Sequence, residues 1–151
     1  MIQLLRVFTS VGFVGRIPGA PGTYGSLVTL ALAYLWSSKV TDNILVTLGL
    51  IIVLTVLGVL ASTRVAKSLG LEDPGEIVID ELVGQWIAVL AIPNHWTYWV
   101  AAFILFRIFD IWKPWIIDKS QQLPGGWGIM IDDVLAGILA LLLVQGAALI
   151  L

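Results

Sequence analysis

The chain has 151 residues, of which 59% are hydrophobic and 12% are charged, and its mean hydropathy is +1.00. A soluble domain carries about 25% charged residues, so this composition indicates an integral membrane protein. The formal net charge of −2 gives no reason to expect nucleic-acid binding. Cysteine is absent, which excludes disulfides, thiolate metal sites and a cysteine nucleophile. The length suits one domain over residues 1–151.

The first 43 residues predict two helices separated by a turn-rich loop. Residues 2–14 are apolar but interrupted by polar side chains and too short to cross a bilayer, which favours a helix lying at the interface. Residues 18–26 contain two prolines and several glycines and are predicted to be a loop, with Ser26 or Thr23 capping the next helix. That helix is expected over 27–38, before a polar turn.

The strongest predicted span is residues 44–61, which are almost continuously apolar. At a rise of 1.5 Å per residue, 18 residues reach about 27 Å, close to a hydrocarbon thickness of about 30 Å. Three more hydrophobic helices are predicted, over 77–92, 96–112 and 134–151. Polar or glycine- and proline-containing segments at 62–76 and 113–131 separate them. We therefore predict an all-α membrane bundle of about four to five hydrophobic helices plus the interfacial one.

The basic residues predict the orientation of the bundle. If the spans alternate from an inside N-terminus, all but one of the basic residues fall on or near one side, leaving Lys39 on the other. They are Arg6, Arg16, Arg64, Lys67, Arg107, Lys113 and Lys119. This bias marks that side as cytoplasmic. The same alternation places five acids there: Asp80, Glu81, Asp110, Asp132 and Asp133.

Two adjacent acid pairs, Asp80-Glu81 and Asp132-Asp133, each lie near the start of a predicted membrane helix. Single acids there can simply complement the helix macrodipole. Two pairs together with Asp110 at one membrane face repel one another unless cations lie between them. Magnesium, which prefers carboxylate, water and phosphate oxygens, meets that need.

Arg107, Asp110 and Lys113 recur at a spacing of three and therefore share one helical face. They can form a ladder of salt bridges that also anchors the helix at the cytoplasmic side. Alternatively, Arg107 and Lys113 bind phosphate oxygens while Asp110 faces the metal. The pattern alone leaves both interpretations open.

Glycines cluster before two predicted helices, in residues 21–26 and 125–128. Such glycines commonly serve only as turn residues between spans. They also let backbone N–H groups approach an anion, which makes Thr23, Ser26 and Gly126 candidate phosphate contacts. Neither segment fits a known nucleotide-binding motif.

The residues that are missing narrow the chemistry further. There is one histidine, His95, in a turn predicted for the opposite face, and there is no Asp-x-Asp motif. The remaining inventory of carboxylates, a metal, cations and backbone donors suits phosphoryl chemistry by a metal-activated water.

Four separated motifs resemble those of the phosphatidylglycerophosphatase A family. They are PGTYGS at 21–26, EIVIDELVGQW at 76–86, FRIFDIWKPW at 106–115 and GGWGIMIDDVLAG at 125–137. The resemblance implies a Mg²⁺-dependent bacterial phosphatase of the inner membrane that converts phosphatidylglycerophosphate to phosphatidylglycerol and phosphate in the cytoplasmic leaflet. It also implies active-site roles for the five acids named above, with Arg107 and Lys113 nearby.

We therefore expect a lipid phosphatase in which Asp80, Glu81, Asp132 and Asp110 bind Mg²⁺. Two other classes of protein remain as alternatives. A transporter or channel subunit for a divalent cation would line a path with these acids. A structural membrane subunit would tolerate the loss of any one of them.

Overall fold

The computed structural model describes residues 1–150, and its regular structure is helical throughout that range. Seven α-helices follow one another along the chain. They are α1 (Ile2–Thr9), α2 (Pro21–Leu35), α3 (Ile44–Leu69), α4 (Ile79–Ala88), α5 (Trp96–Trp112), α6 (Ile116–Ser120) and α7 (Gly126–Ile150). A 3₁₀ turn at Val14–Arg16 precedes α2, and a π-helical turn at Trp36–Val40 follows it. The expected all-α class is confirmed.

Helix α4 lies at the centre of the bundle. It packs most extensively on α7 and also contacts α2, α3 and α5. Every residue of α4 except Glu81 is buried. Its ten residues reach only about 15 Å, half the thickness of a hydrocarbon core. The central helix therefore cannot cross a bilayer by itself.

Helices α3 and α7 are the two that are long and apolar enough to cross a membrane, within residues 1–150. Both present large apolar side chains outward: Leu45 on α3 is 74% exposed and Leu142 on α7 is 62% exposed. A soluble protein rarely exposes apolar surface on this scale, so these faces suit contact with lipid. The expectation of four to five hydrophobic membrane helices is not confirmed.

The two glycine-containing segments predicted as loops are helical instead. Helix α2 begins at Pro21 and α7 begins at Gly126. Proline is well tolerated in the first turn of a helix, where its missing N–H is not needed. The glycines are there because a Cβ would collide with a neighbour: with the Glu81 side chain at Gly22, and with the Val59 carbonyl of α3 at Gly126.

Three smaller expectations are also corrected. Neither Ser26 nor Thr23 caps α2, because both lie inside that helix, and the Ser26 hydroxyl donates to the Gly22 carbonyl. The N-terminal helix ends at Thr9 instead of continuing to residue 14. Helix α3 extends well beyond residue 61 and ends at Leu69, where Gly70 takes the left-handed conformation with φ +67°.

Candidate active site

Five helix ends meet at one end of the bundle, and four of them supply the predicted functional residues. The start of α2 contacts Glu81 at the start of α4, and the end of α5 reaches the start of α7 through Lys113 and Asp132. The last turns of α3 join them, since the Gly126 N–H donates to the Thr63 hydroxyl across 2.8 Å. The structure therefore brings all five predicted acids to this end.

Asp80, Glu81 and Asp133 form a compact carboxylate cluster. One oxygen from each lies within 4.8 Å of the others. Asp80 is 8% exposed and Asp133 is 2% exposed. Within residues 1–150, Asp80 Oδ1, Glu81 Oε2 and Asp133 Oδ2 are buried without a hydrogen-bond partner. Buried carboxylates that lack partners are costly, so this geometry fits a bound cation.

The donor chemistry of this cluster indicates which cation fits. All three donors are carboxylate oxygens, and the described part of the chain offers no nitrogen or sulfur ligand among them. Hard divalent ions such as Mg²⁺ prefer such oxygens and commonly retain waters or bind substrate phosphate at their other positions. The residues present therefore fit the magnesium that the resemblance implies.

Asp132 and Asp110 have different surroundings from this cluster. Asp132 Oδ2 accepts from Lys113 Nζ at 2.5 Å and from Gln121 Nε2 at 3.0 Å. Asp110 Oδ2 accepts from Arg107 Nη1 at 2.5 Å, and its other oxygen lies 3.9 Å from Lys113 Nζ. The two predicted metal ligands thus already have cationic partners, and Asp133 stands with Asp80 and Glu81 instead.

The two cations expected to bind phosphate lie beside the carboxylate cluster. The Arg107 guanidinium approaches Gly22, where the Glu81 carboxylate also lies. Arg107 Nε is buried without a hydrogen-bond partner in the described chain, so one donor of the guanidinium is unsatisfied. Lys113 links Asp110 and Asp132. The salt-bridge ladder and the phosphate-binding arrangement are therefore compatible, because the same side chains provide both.

The other predicted phosphate contacts are mostly engaged in the scaffold. The Gly126 N–H donates to Thr63, and the Ser26 hydroxyl donates to Gly22. Neither is free to donate to an anion while these bonds exist. Thr23 lies in the first turn of α2, next to Gly22, and is partly exposed.

Sequence reasoning did not assign roles to several polar residues that the structure places here. Gln121 contacts Asp132. Gln85, one turn after Glu81 on α4, is fully buried with its amide unpartnered within residues 1–150. Glu76 pairs with Arg6 of α1 at 2.6 Å and with Arg16 at 3.2 Å. Two features of the sequence could have pointed to these residues. Gln85 is a polar residue inside an apolar helix, and Glu76 is the first residue of the EIVIDELVGQW motif.

Comparisons with known proteins show the family of this chain. The family model described as phosphatidylglycerophosphatase A matches residues 7–148. The chain belongs to this family. Membership makes it a phosphoric monoester hydrolase, and together with the apolar helices α3 and α7 it indicates a membrane protein.

Three curated relatives are similar over most of their length. Phosphatidylglycerophosphatase A of Escherichia coli is 41% identical over 87% of this chain and 76% of the relative. The Haemophilus influenzae protein of the same name is 42% identical, over 89% and 83% respectively. A Bacteroides thetaiotaomicron protein named "Putative phosphatidylinositol-3-phosphatase" is 40% identical over 96% of this chain and 94% of the relative. No solved structure matches the chain.

Proposed function

We propose that this protein hydrolyses phosphatidylglycerophosphate to phosphatidylglycerol and inorganic phosphate, with Mg²⁺ as cofactor. The observation that carries the proposal is the cluster of three carboxylates, each with one buried and unpartnered oxygen, beside Arg107 and Lys113. Family membership and two relatives named for this activity support the choice of substrate.

Asp80, Glu81 and Asp133 would hold the metal, because their oxygens converge and lack other partners. Bound there, Mg²⁺ supplies charge neutralisation and the acidification of a water molecule. Asp132 and Asp110, which the sequence suggested as ligands, act instead by fixing Lys113 and Arg107. This assignment explains why five acids gather at a site where three are sufficient for one ion.

Arg107 and Lys113 bind the phosphate oxygens and stabilise the charge that develops on them. The attacking water forms a bond to phosphorus, and the bond from phosphorus to the glycerol oxygen breaks. That oxygen leaves with the electron pair and takes up a proton to become the alcohol of phosphatidylglycerol. Water contributes the remaining oxygen of inorganic phosphate, so the atoms balance.

The lipid would reach this site without leaving the membrane. The outward faces of α3 and α7 are apolar along most of their length, and on α3 this apolar face gives way to the exposed cations Arg64 and Lys67 at the end where the acids lie. Because basic residues concentrate at that end, we place it at the cytoplasmic leaflet of the bacterial inner membrane. The ion-pathway alternative has no support in the structure, since the acids collect at one end.

A second substrate, phosphatidylinositol 3-phosphate, is favoured by the Bacteroides relative. It is also a lipid phosphomonoester, so the same cations and carboxylates can act on it. The geometry of the carboxylate cluster does not discriminate between the two alcohols.

The test is phosphate release by purified protein from three lipids: phosphatidylglycerophosphate, phosphatidylinositol 3-phosphate and phosphatidic acid. Each is assayed with Mg²⁺ and with EDTA, and Asp133→Asn serves as the inactive control. We expect Mg²⁺-dependent release that is fastest from the first lipid. Faster release from the inositol lipid would replace the proposed substrate, and release that persists in EDTA would refute the metal.

A further inference from the structure

A cavity of about 760 Å³ adjoins the candidate active site. The last turns of α3, the segment Gly70–Asp73 and the loop before α7 line this open cavity, and Asp132 forms part of its wall. Its size lies within the usual range for small-molecule sites, about 300–1,000 Å³. The cavity therefore lies directly beside Asp132, the carboxylate that binds Lys113.

Lys67 contributes a cation to this cavity that the hydrolytic site does not use. Arg107 and Lys113 are each within 2.5 Å of a carboxylate. In the part of the chain that the structure describes, no carboxylate lies within 4.0 Å of the Lys67 ammonium. Glu72, Asp73 and Asp132 also line the cavity, and Asp132 is already paired with Lys113. The exposed Lys67 ammonium has no carboxylate within that distance and is therefore available to bind an anion.

The position of Lys67 relative to Asp132 is fixed by packing. Thr63, one helical turn before Lys67, accepts the Gly126 N–H at 2.8 Å. A Cβ at Gly126 would collide with the Val59 carbonyl, so the start of α7 lies directly against α3. Six residues after Gly126, α7 carries Asp132. One contact between α3 and α7 therefore fixes the positions of Lys67 and Asp132 relative to each other.

We propose that this cavity binds the part of the head group that remains on the lipid, with Lys67 contacting its phosphodiester. The inference rests on the proposed function, in which the terminal phosphate is hydrolysed beside Arg107 and Lys113. A phosphatidylglycerophosphate head group carries two phosphates separated by glycerol. Gln121 and Gln122, which also line the cavity, can hydrogen-bond the intervening hydroxyl group.

This arrangement makes Lys67 a specificity-determining residue. Phosphatidic acid has a single phosphate, so it cannot engage the metal site and Lys67 together. Phosphatidylinositol 3-phosphate has both a phosphomonoester and a phosphodiester, and its larger head group would use the same cation. Lys67 therefore selects lipids with a second phosphate and does not distinguish glycerol from inositol.

The first experiment measures kcat and KM with short-chain substrates in neutral detergent for wild type, Lys67→Ala and Lys67→Arg. We expect Lys67→Ala to lower kcat/KM for phosphatidylglycerophosphate at least tenfold, mainly through KM, and to leave phosphatidic acid unaffected. Lys67→Arg should restore most of the loss. Arg64→Ala is the matched control, because Arg64 is an exposed cation on the same helix that does not line the cavity.

An equal loss for both substrates would overturn the proposal, as would unchanged kinetics. A loss that appears on vesicles containing anionic lipid but not in neutral detergent would also overturn it, because Lys67 would then only attract the protein to a charged surface. These outcomes are distinct from failure of the proposed function, which is judged by the wild-type protein alone.

A second measurement does not depend on hydrolysis. Phosphatidylglycerol keeps the phosphodiester but lacks the terminal phosphate, so it should bind the EDTA-treated protein through Lys67. We expect short-chain phosphatidylglycerol to bind wild type and Arg64→Ala equally, and Lys67→Ala at least tenfold more weakly. Equal binding by all three proteins would refute the inference even if the enzyme is active.

Discussion

Lys113 and Asp132 join the end of α5 to the start of α7 through a contact of 2.5 Å between Nζ and Oδ2. Lys113 adopts a left-handed backbone conformation with φ +48° as it ends α5. A non-glycine residue in that region costs of the order of 1 kcal/mol, which the surrounding structure must offset. The contact with Asp132 accompanies this conformation and directs the ammonium toward the site.

The pair should therefore act as a unit in catalysis. Lys113→Met and Asp132→Asn should each lower kcat by about 10²-fold, the usual effect of removing a group that stabilises charge in the transition state. The double variant should be much less impaired than the product of the two losses, because each residue needs the other. Phosphate-release kinetics on the four proteins check this, and multiplicative losses would show that the residues act independently.

Removing one acid of the carboxylate cluster should raise thermal stability without metal and remove the stabilisation that metal provides. In EDTA, Asp133→Asn should melt above wild type, because one of three crowded carboxylates, and the most buried of them, is gone. Added Mg²⁺ should raise the melting temperature of wild type and not that of the variant, since a ligand at 100 times its Kd contributes about 2.7 kcal/mol.

Thermal unfolding in detergent with a Mg²⁺ titration measures both effects. Asp42→Asn is the control, because Asp42 is an exposed acid in the turn between α2 and α3. An equal Mg²⁺ response in Asp133→Asn would remove Asp133 from the proposed metal site.

The contact between α4 and α7 should be intolerant of a single added methyl group. A Cβ at Gly137 of α7 would meet the backbone of Gly84 on α4, and backbone atoms cannot move aside as a side chain can. Gly137→Ala should lower the free energy of unfolding by about 1–3 kcal/mol and reduce activity, since Asp133 would shift relative to Asp80. Gly146→Ala on the same helix is the control, because nothing lies within 4 Å of its added Cβ. Equal stability of the two variants would contradict this account.

Stability should depend on pH through Glu76, which ties α1 to the segment before α4. The hydrogen bond from Arg6 lowers the pKa of Glu76 from its ordinary value of 4.5, and Arg16 adds to the effect. A lowered folded-state pKa means that the contribution is fully present above 4.5 and is lost as the pH falls through the folded-state value.

Glu76→Gln should therefore melt below wild type at pH 7, and the difference should shrink as the pH falls below about 4. Melting curves from pH 3 to 8 measure this dependence. Glu72→Gln provides the comparison, because Glu72 is exposed and makes no ion pair in residues 1–150. A difference that stays constant across the range would indicate that the charge of Glu76 is not involved.

Charge asymmetry along the chain predicted which residues would gather, but it did not predict their partners. Alternating spans with basic residues on one side placed all five acids at one end, and the structure places them there. The choice between Asp132 and Asp133 depends on rotation, since adjacent residues point about 100° apart around a helix. The sequence predicted that the last helix starts at residue 134, whereas α7 starts at Gly126. The positions of Asp132 and Asp133 around the helix axis could therefore not be predicted.

Glycine was the residue most easily misread. Gly22 and Gly126 suggested turns, because glycine is a poor helix former. Glycine is required at these positions because a neighbouring helix lies too close for a Cβ. The sequence does not reveal that distance. The ion pair between Arg6 and Glu76 could not be predicted either. The two residues are 70 positions apart, and local sequence patterns carry no information about such contacts.

The shortness of α4 has a consequence for how the enzyme meets its substrate. A ten-residue central helix that begins at the acids keeps the reacting groups near the depth of the lipid head groups, so the substrate arrives by lateral diffusion. The rate should then follow the mole fraction of substrate within the bilayer and not its amount per volume of suspension. Diluting the substrate with neutral lipid would slow turnover, whereas adding more vesicles of the same composition would leave the rate per enzyme unchanged.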